Sequence, residues 1–220
     1  MRSDRPRRRS VGLALAALAV ACSSPPKGSM VRIPPPHDWQ ARLVAFRADK
    51  DRSYATSQDS PVLAEDRVGF AGLAYWAPDS RYYFVGPLHR YAQPERFEIV
   101  STAGVKRPCV KLGWIGFTID GTPLRLQVYR LLDGADGLFL PFTDATTGSE
   151  TYPAGRYVDL VGPDGGPFVL DFNAAYNPSC AYGAPERFQC PVTPTENRLA
   201  VRIEAGERGY RHPVRAGAGT

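Results

Sequence analysis

Apolar positions recur along this chain with two different periods. In residues 38–51, Trp39, Leu43 and Phe46 stand at i, i+4 and i+7, one stripe of a helix, leaving Arg42, Arg47, Asp49 and Lys50 for water. Asp38 precedes the stripe as a candidate N-cap. Ser60-Pro61 opens a second short helical piece, serine capping and proline in the first turn, with Val62, Leu63 and Phe70 to pack it on the body. From Leu73 onward the period falls to two. Short β-rich runs at 82–85, 97–101, 105–110, 114–119, 124–131, 138–142, 156–161, 168–173 and 198–204 alternate with Gly, Pro, Asp and Asn. Asp120-Gly121 marks a tight turn between two of them. No long βαβ alternation occurs, which argues against a parallel sheet. The pattern predicts a mainly β fold, an antiparallel sandwich or barrel-like sheet, with one or two N-terminal helices.

The ends change this picture more than the composition does. Residues 1–9 carry five arginines, residues 11–21 are small and apolar, and Cys22 follows, the layout of an export signal. The apolar run is shorter than the ~20 residues a membrane-spanning helix needs. Ala19-Val20-Ala21-Cys22 resembles the cleavage box of bacterial lipoprotein signals, with Ala19 where that pattern prefers leucine. The resemblance implies cleavage before Cys22 and lipidation of Cys22. Arg8-Arg9 also loosely resembles a twin-arginine signal. Residues 22–37 form a proline-rich tether, residues 38–210 a single globular mostly-β domain, and residues 211–220 a flexible Gly/Ala-rich tail. The whole chain has 27 Lys+Arg against 22 Asp+Glu; residues 1–21 hold five Arg and one Asp, so the remainder is 22 against 21, net +1. The basic balance belongs to the signal and gives no support to nucleic-acid binding.

Candidate chemistry concentrates in residues 142–197. In the run 168–173, period-two geometry sets Phe168, Leu170 and Phe172 on one face and Val169, Asp171 and Asn173 on the other. A carboxylate beside an amide suits a ligand hydroxyl, a metal or an arginine; alternatively Asp171 pairs with Arg156 and Asn173 caps the following turn. Asp144, Thr147, Glu150, Tyr152 and Arg156 make a second cluster, read either as a pocket rim around a forked guanidinium or as a loop with a structural ion pair. Gly148 and Gly155 allow close backbone approach or positive φ there. Tyr176, Asn177, Tyr182, Glu196 and Asn197 make a third, lining a groove or packing a loop. Cys180 and Cys190 are placed for a disulfide in an oxidising compartment, pinning their loop beside Asp171 and Asn173; Cys109 reads as a buried apolar side chain. Only His37, His89 and His212 occur, with no ligand-pair spacing, so no metal and no cofactor is expected. The common nucleotide, zinc-protease and α/β-hydrolase templates are missing from the sequence.

The run F-T-D-A-T-T-G-S-E-T-Y-P-A-G-R-Y-V-D-L, with L-D-F-N-A-A-Y-N-P-S-C-A-Y, C-P and E-N-R-L-A-V-R-I-E-A-G-E, resembles the family catalogued as domain of unknown function 1684. The resemblance is dense over residues 142–207 and looser over 39–140. It implies a stand-alone bacterial or archaeal domain, often exported, with no established activity. The combined expectation is an exported, lipid-anchored envelope protein. It meets the membrane through Cys22 and holds a small polar ligand in a pocket of the 142–197 region. The alternatives are a hydrolase using Asp144, Glu150 or Asp171 as acid and base, and a structural envelope protein without a small-molecule site.

Overall fold

The structure, a computed structural model, describes residues 28–133, 137–183 and 187–211. The expected export signal, Cys22 and the start of the tether lie outside the described residues, as does the tail from 212. The described chain forms one eight-stranded antiparallel sheet, curled into a half-barrel, with two helices. In chain order these are β1 (Val31–Arg32), α1 (Trp39–Thr56), α2 (Ala64–Arg67), β2 (Tyr83–Gly86), β3 (His89–Val100), β4 (Lys106–Ile119), β5 (Thr122–Leu131), β6 (Phe139–Phe142), β7 (Arg156–Val161) and β8 (Phe168–Asp171). The sheet order is β1-β2-β8-β7-β6-β5-β4-β3, so β3 to β8 form a meander and β2 adds beside β8.

Alternation in the sequence becomes two faces of the sheet. Ile115, Phe117, Leu126, Val128, Leu140, Val158, Leu170 and Phe172 fill the concave side with little or no exposure. Each such side chain contributes about 1.5–3 kcal/mol on burial. Phe84, Phe117, Phe142 and Phe172 meet there with ring centroids 5.2–6.4 Å apart. A smaller apolar cluster, Ile99, Cys109, Tyr129, Leu131, Phe139 and Tyr157, lies on the opposite face. The β4–β5 turn is the expected tight one: Asp120 and Gly121 both have positive φ, at 47° and 78°, as a type I′ hairpin requires.

Three expectations need correction. The run 198–204 is not a ladder strand. Leu199 and Ile203 are buried, but the segment holds to the body through single bonds such as Leu199 N–H to the Thr143 carbonyl. Its alternation reflects packing against the sheet, not pairing within it. The second helix begins at Ala64; Ser60 instead accepts the Val62 N–H and donates to the Tyr54 carbonyl, so it holds a turn. Helix α1 is longer than residues 38–51, and its inward face is polar. Leu43 and Arg47 are buried while Phe46 is 54% exposed, and the Asp38 side chain makes no cap bond. A buried arginine defeats a stripe read from apolar residues alone.

The inward face of α1 docks by hydrogen bonds. Trp39 donates to Asp171 (2.6 Å), Arg47 donates to the carbonyls of Trp76 (2.8 Å) and Asn173 (2.9 Å), and Lys50 pairs with Glu207. Asp51 accepts the Leu73 N–H (3.1 Å). No helix among the described residues is long and apolar enough to cross a membrane.

Candidate functional site

Of the expected cluster, Arg156, Asp144 and Thr147 come together in a buried corner, held by intramolecular contacts. Arg156 opens β7 pointing into the protein with no exposed surface. Its guanidinium donates to the carbonyls of Ile203 (2.8 Å), Ala205 (2.5 Å) and Glu207 (3.1 Å) and lies 3.5 Å from Asp144. It also stacks near the rings of Trp76 and Phe142, each 5.1 Å away. Burial lowers its pKa, with Asp144 opposing that shift. Asp144 is occupied in turn by the hydroxyls of Thr146 (2.9 Å) and Thr147 (3.1 Å) and by the Ile203 N–H (2.7 Å). Gly155, at φ 95°, leads into this corner, where a Cβ would stand 2.6 Å from the Phe142 carbonyl oxygen.

The other expected residues do not join it. Glu150 pairs with Arg202 at the surface. Tyr152 meets the Cys180 thiol at 3.7 Å. Asp171 does not pair with Arg156; it takes Trp39 and the Asn173 N–H (2.9 Å), so Asp171 rather than Asn173 caps the short helical turn Phe172–Ala174. Asn173 clamps residue 79, accepting its N–H and donating to its carbonyl, both at 2.8 Å. Asn177 N–H and the Tyr182 hydroxyl donate to Glu207, which is 1% exposed. Glu196 takes the Tyr129 hydroxyl and Lys111. Asn197 is buried and bonds the Gln127 N–H (2.7 Å), the Gln127 carbonyl (3.0 Å) and the Pro141 carbonyl (2.8 Å). Asp144, Glu150 and Asp171 therefore face no common cavity. Asp144 and Thr147 border a groove of about 280 Å³ and Glu150 a separate depression.

Cys180 and Cys190 are free thiols, which corrects the expected disulfide. They do lie together, the Cys180 N–H donating to Cys190 Sγ at 3.2 Å. Hydrogen bonding from Cys190, then from Tyr152 and Thr102, lowers the Cys180 thiol to about 6, while the same contact raises Cys190. Residues 188–191 cross Tyr157, whose hydroxyl donates to the Pro191 carbonyl.

That crossing makes a cleft of about 400 Å³ on the outer face of β6 and β7. Tyr176 pairs with Tyr157 through two backbone bonds of 2.9 Å, and the Tyr157 hydroxyl donates to the Pro191 carbonyl. The Val192 N–H reaches the Val100 carbonyl at 2.8 Å, so the loop is tied to β7 at one end and β3 at the other. Phe139, Tyr157, Tyr176 and Phe188 line the cleft, with Arg107 and Asp159 among its charged groups. Phe139 and Tyr157 meet at 4.7 Å and 75°, Tyr157 and Tyr176 at 5.8 Å and 89°. Arg107 is held by Asp133 through two bonds, 2.6 and 2.7 Å, and donates to the Gln189 carbonyl. Asp159 reaches solvent but is crowded by rings, and that burial raises its pKa against the opposing Tyr176 hydroxyl and Lys50 charge. Its carboxylate accepts from the Tyr176 hydroxyl at 3.3 Å; among the described residues no cation stands within ion-pair distance of it.

Of the expected ligand residues, only Tyr176 lies in this cleft. The signal for Tyr157 and Asp159 is present in the run 156–161, where they share the face opposite Arg156, Val158 and Leu160. A polar strand position reads as solvent-facing unless a distant loop is known to fold across it.

An uncharacterized protein of Haloarcula marismortui, solved by solution NMR, is similar in fold and sequence: TM-score 0.60 and 35% identity over 78% of this chain and 94% of that one. No curated protein matches. The family described as "Protein of unknown function (DUF1684)" matches residues 68–208, which span the sheet from before β2 to Glu207 and its neighbours, and the chain belongs to that family.

Proposed function

We propose that this protein is an exported, lipid-anchored binding module of the cell envelope, and that it holds a small ligand in the cleft between β7 and the 176–191 loop. The observation that supports the ligand reading is the cleft itself. Its volume, about 400 Å³, falls in the range of small-molecule sites, and it combines four aromatic rings with few polar groups. Tyr176 and Val192, on either side of the cleft's loop residues, are each held by backbone hydrogen bonds. The anchor reading is supported by the arginine-rich head, the apolar run and Ala19-Val20-Ala21-Cys22.

Two measurements test the two halves. Amide NMR shifts of the purified chain are followed through an aromatic fragment library; shifts confined to Phe139, Tyr157, Tyr176 and Phe188, lost in Phe188→Ala, support the cleft. Metabolic labelling with a fatty acid, compared between wild type and Cys22→Ser, tests the anchor; equal labelling of both refutes it. A second reading is a structural envelope protein. It is favoured by one fact: Asp144, Arg156, Asn173 and Asn197 are all held in intramolecular hydrogen bonds. Absence of any fragment shift in the cleft supports that reading instead.

A further inference from the structure

We propose that the cleft takes an organic ammonium ion, an amine or quaternary ammonium group on a flat apolar body, with the charge set among Phe139, Tyr157 and Tyr176 beside Asp159. This deepens, and rests on, the reading of the cleft as the ligand site.

Charge selects the sign of the ligand. Arg107 is the cleft's arginine, and Asp133 and the Gln189 carbonyl already take its donors. An anion entering there would have to displace a two-bond ion pair. Asp159 is the opposite case, a carboxylate in the lining with a tyrosine hydroxyl but no cation in ion-pair reach among the described residues. Lys50 lies 5.1 Å from the Tyr176 ring centre and is felt at Asp159, yet it is bound to Glu207. Arg107 and Asp159 both line the cleft with Tyr157. Tyr157 and Asp159 are two positions apart on one strand, about 7 Å along it, the span of a small ammonium group in contact with both.

Ring geometry points the same way. Phe139, Tyr157 and Tyr176 meet in steep pairs, 75° and 89°, so their faces turn toward different sides of one corner. Ring faces carry negative quadrupole density, and such corners hold ammonium groups better than neutral ones. The Tyr157 hydroxyl is tied to the Pro191 carbonyl and the Tyr176 hydroxyl to Asp159, which fixes both rings without a ligand. Tyr157, Tyr176 and the Cys190 thiol all have raised pKa values and stay neutral, and Arg107 stays charged with Asp133. Asp159 and the Cys180 thiol, lowered to about 6 behind Cys190, are the groups that gain negative charge as pH rises, so affinity for a cation rises with pH and the Asp159→Asn variant isolates the carboxylate's share.

The test uses the full chain and three probes of similar size: phenyltrimethylammonium, benzyl alcohol and benzoate. Binding is read by calorimetry and by amide shifts at Tyr157, Asp159 and Tyr176. The expected order has the cation tightest, weakened about tenfold by Asp159→Asn and by lowering the pH, since one charge-assisted contact is removed. Benzyl alcohol is indifferent to both changes. Asp159→Asn removes a solvent-reaching charge that its ring neighbours disfavour and is expected to keep its fold, which a thermal melt checks; Tyr176→Leu is the second variant, removing one ring while leaving the carboxylate, and also weakens the cation. If benzyl alcohol or benzoate shifts the same amides and binds as well as the cation, the ammonium inference is overturned while the cleft reading stands. If no probe shifts those amides, both are overturned.

Discussion

Strands β5 and β6 are registered at a single pair, Tyr129 with Phe139, and the gap beside it is filled by the side chain of Asn197. The amide accepts from the Gln127 N–H and donates to the carbonyls of Gln127 and Pro141, so it stands in for a residue of a missing ladder. Replacing Asn197 by leucine keeps similar volume and removes all three bonds. Each buried backbone group left without a partner costs about 1–3 kcal/mol. Allowing for some relaxation, the three together cost about 3–6 kcal/mol, a large part of the ~5–15 kcal/mol that holds a typical domain. At roughly 2–4 °C per kcal/mol for a chain of this size, the thermal midpoint falls by roughly 10–20 °C. Asn197→Asp is the sharper comparison. It keeps the acceptor for Gln127 N–H but turns a carboxylate toward two carbonyl oxygens, so it is expected to be at least as damaging at neutral pH. Calorimetric melts give the stability, and hydrogen exchange at the Gln127 amide gives the location. A loss under about 1 kcal/mol for the leucine variant, with Gln127 still protected, refutes the stand-in role.

Three further outcomes are expected. Arg156→Met leaves Asp144 and three carbonyls facing an apolar chain and costs about 3–5 kcal/mol, measured by urea titration; a near-neutral result would mean the surrounding groups rearrange at no cost. Because burial raises the Asp159 pKa, the folded state holds its proton more tightly. Its stabilising effect is full below the unfolded carboxyl pKa and is lost as pH rises through the folded value. Asp159→Asn therefore flattens the stability–pH curve in that window and is no less stable than wild type at pH 7; a steeper curve in the variant contradicts this. Cys180 is expected to react with a small thiol reagent with a pH midpoint near 6, ahead of Cys109, whose thiol burial pushes to about 11; mass mapping that finds Cys109 modified first contradicts the assignment.

Local chemistry makes much of the sheet legible in the sequence. Alternation at 156–161 and 168–173 places Leu160, Leu170 and Phe172 inward, and Asp120-Gly121 locates a hairpin. Polar residues gathered in sequence are a poorer guide, because they need not serve a ligand. Asn173 and Asn197 instead complete backbone hydrogen bonding where the sheet lacks a partner, a role that depends on residues roughly 70 to 94 positions away. The inward Arg47 escapes the helical stripe for the same reason: its acceptors are the carbonyls of Trp76 and Asn173, which no local pattern reveals. The cleft is the least legible part, since Tyr157 and Asp159 become a pocket only when the 176–191 loop crosses them.

The carbonyls around Arg156 belong to residues 47, 49 and 51 positions further along the chain. Synthesis from the N-terminus delivers the guanidinium before its acceptors, so the inner corner of β7 waits, hydrated, for the stretch 203–207 to arrive. Completion of this corner is thus expected only once residues 203–207 are available. A chain stopped after Arg202 should be digested by protease as readily as a denatured one; resistance in that fragment would show that the waiting period is not needed.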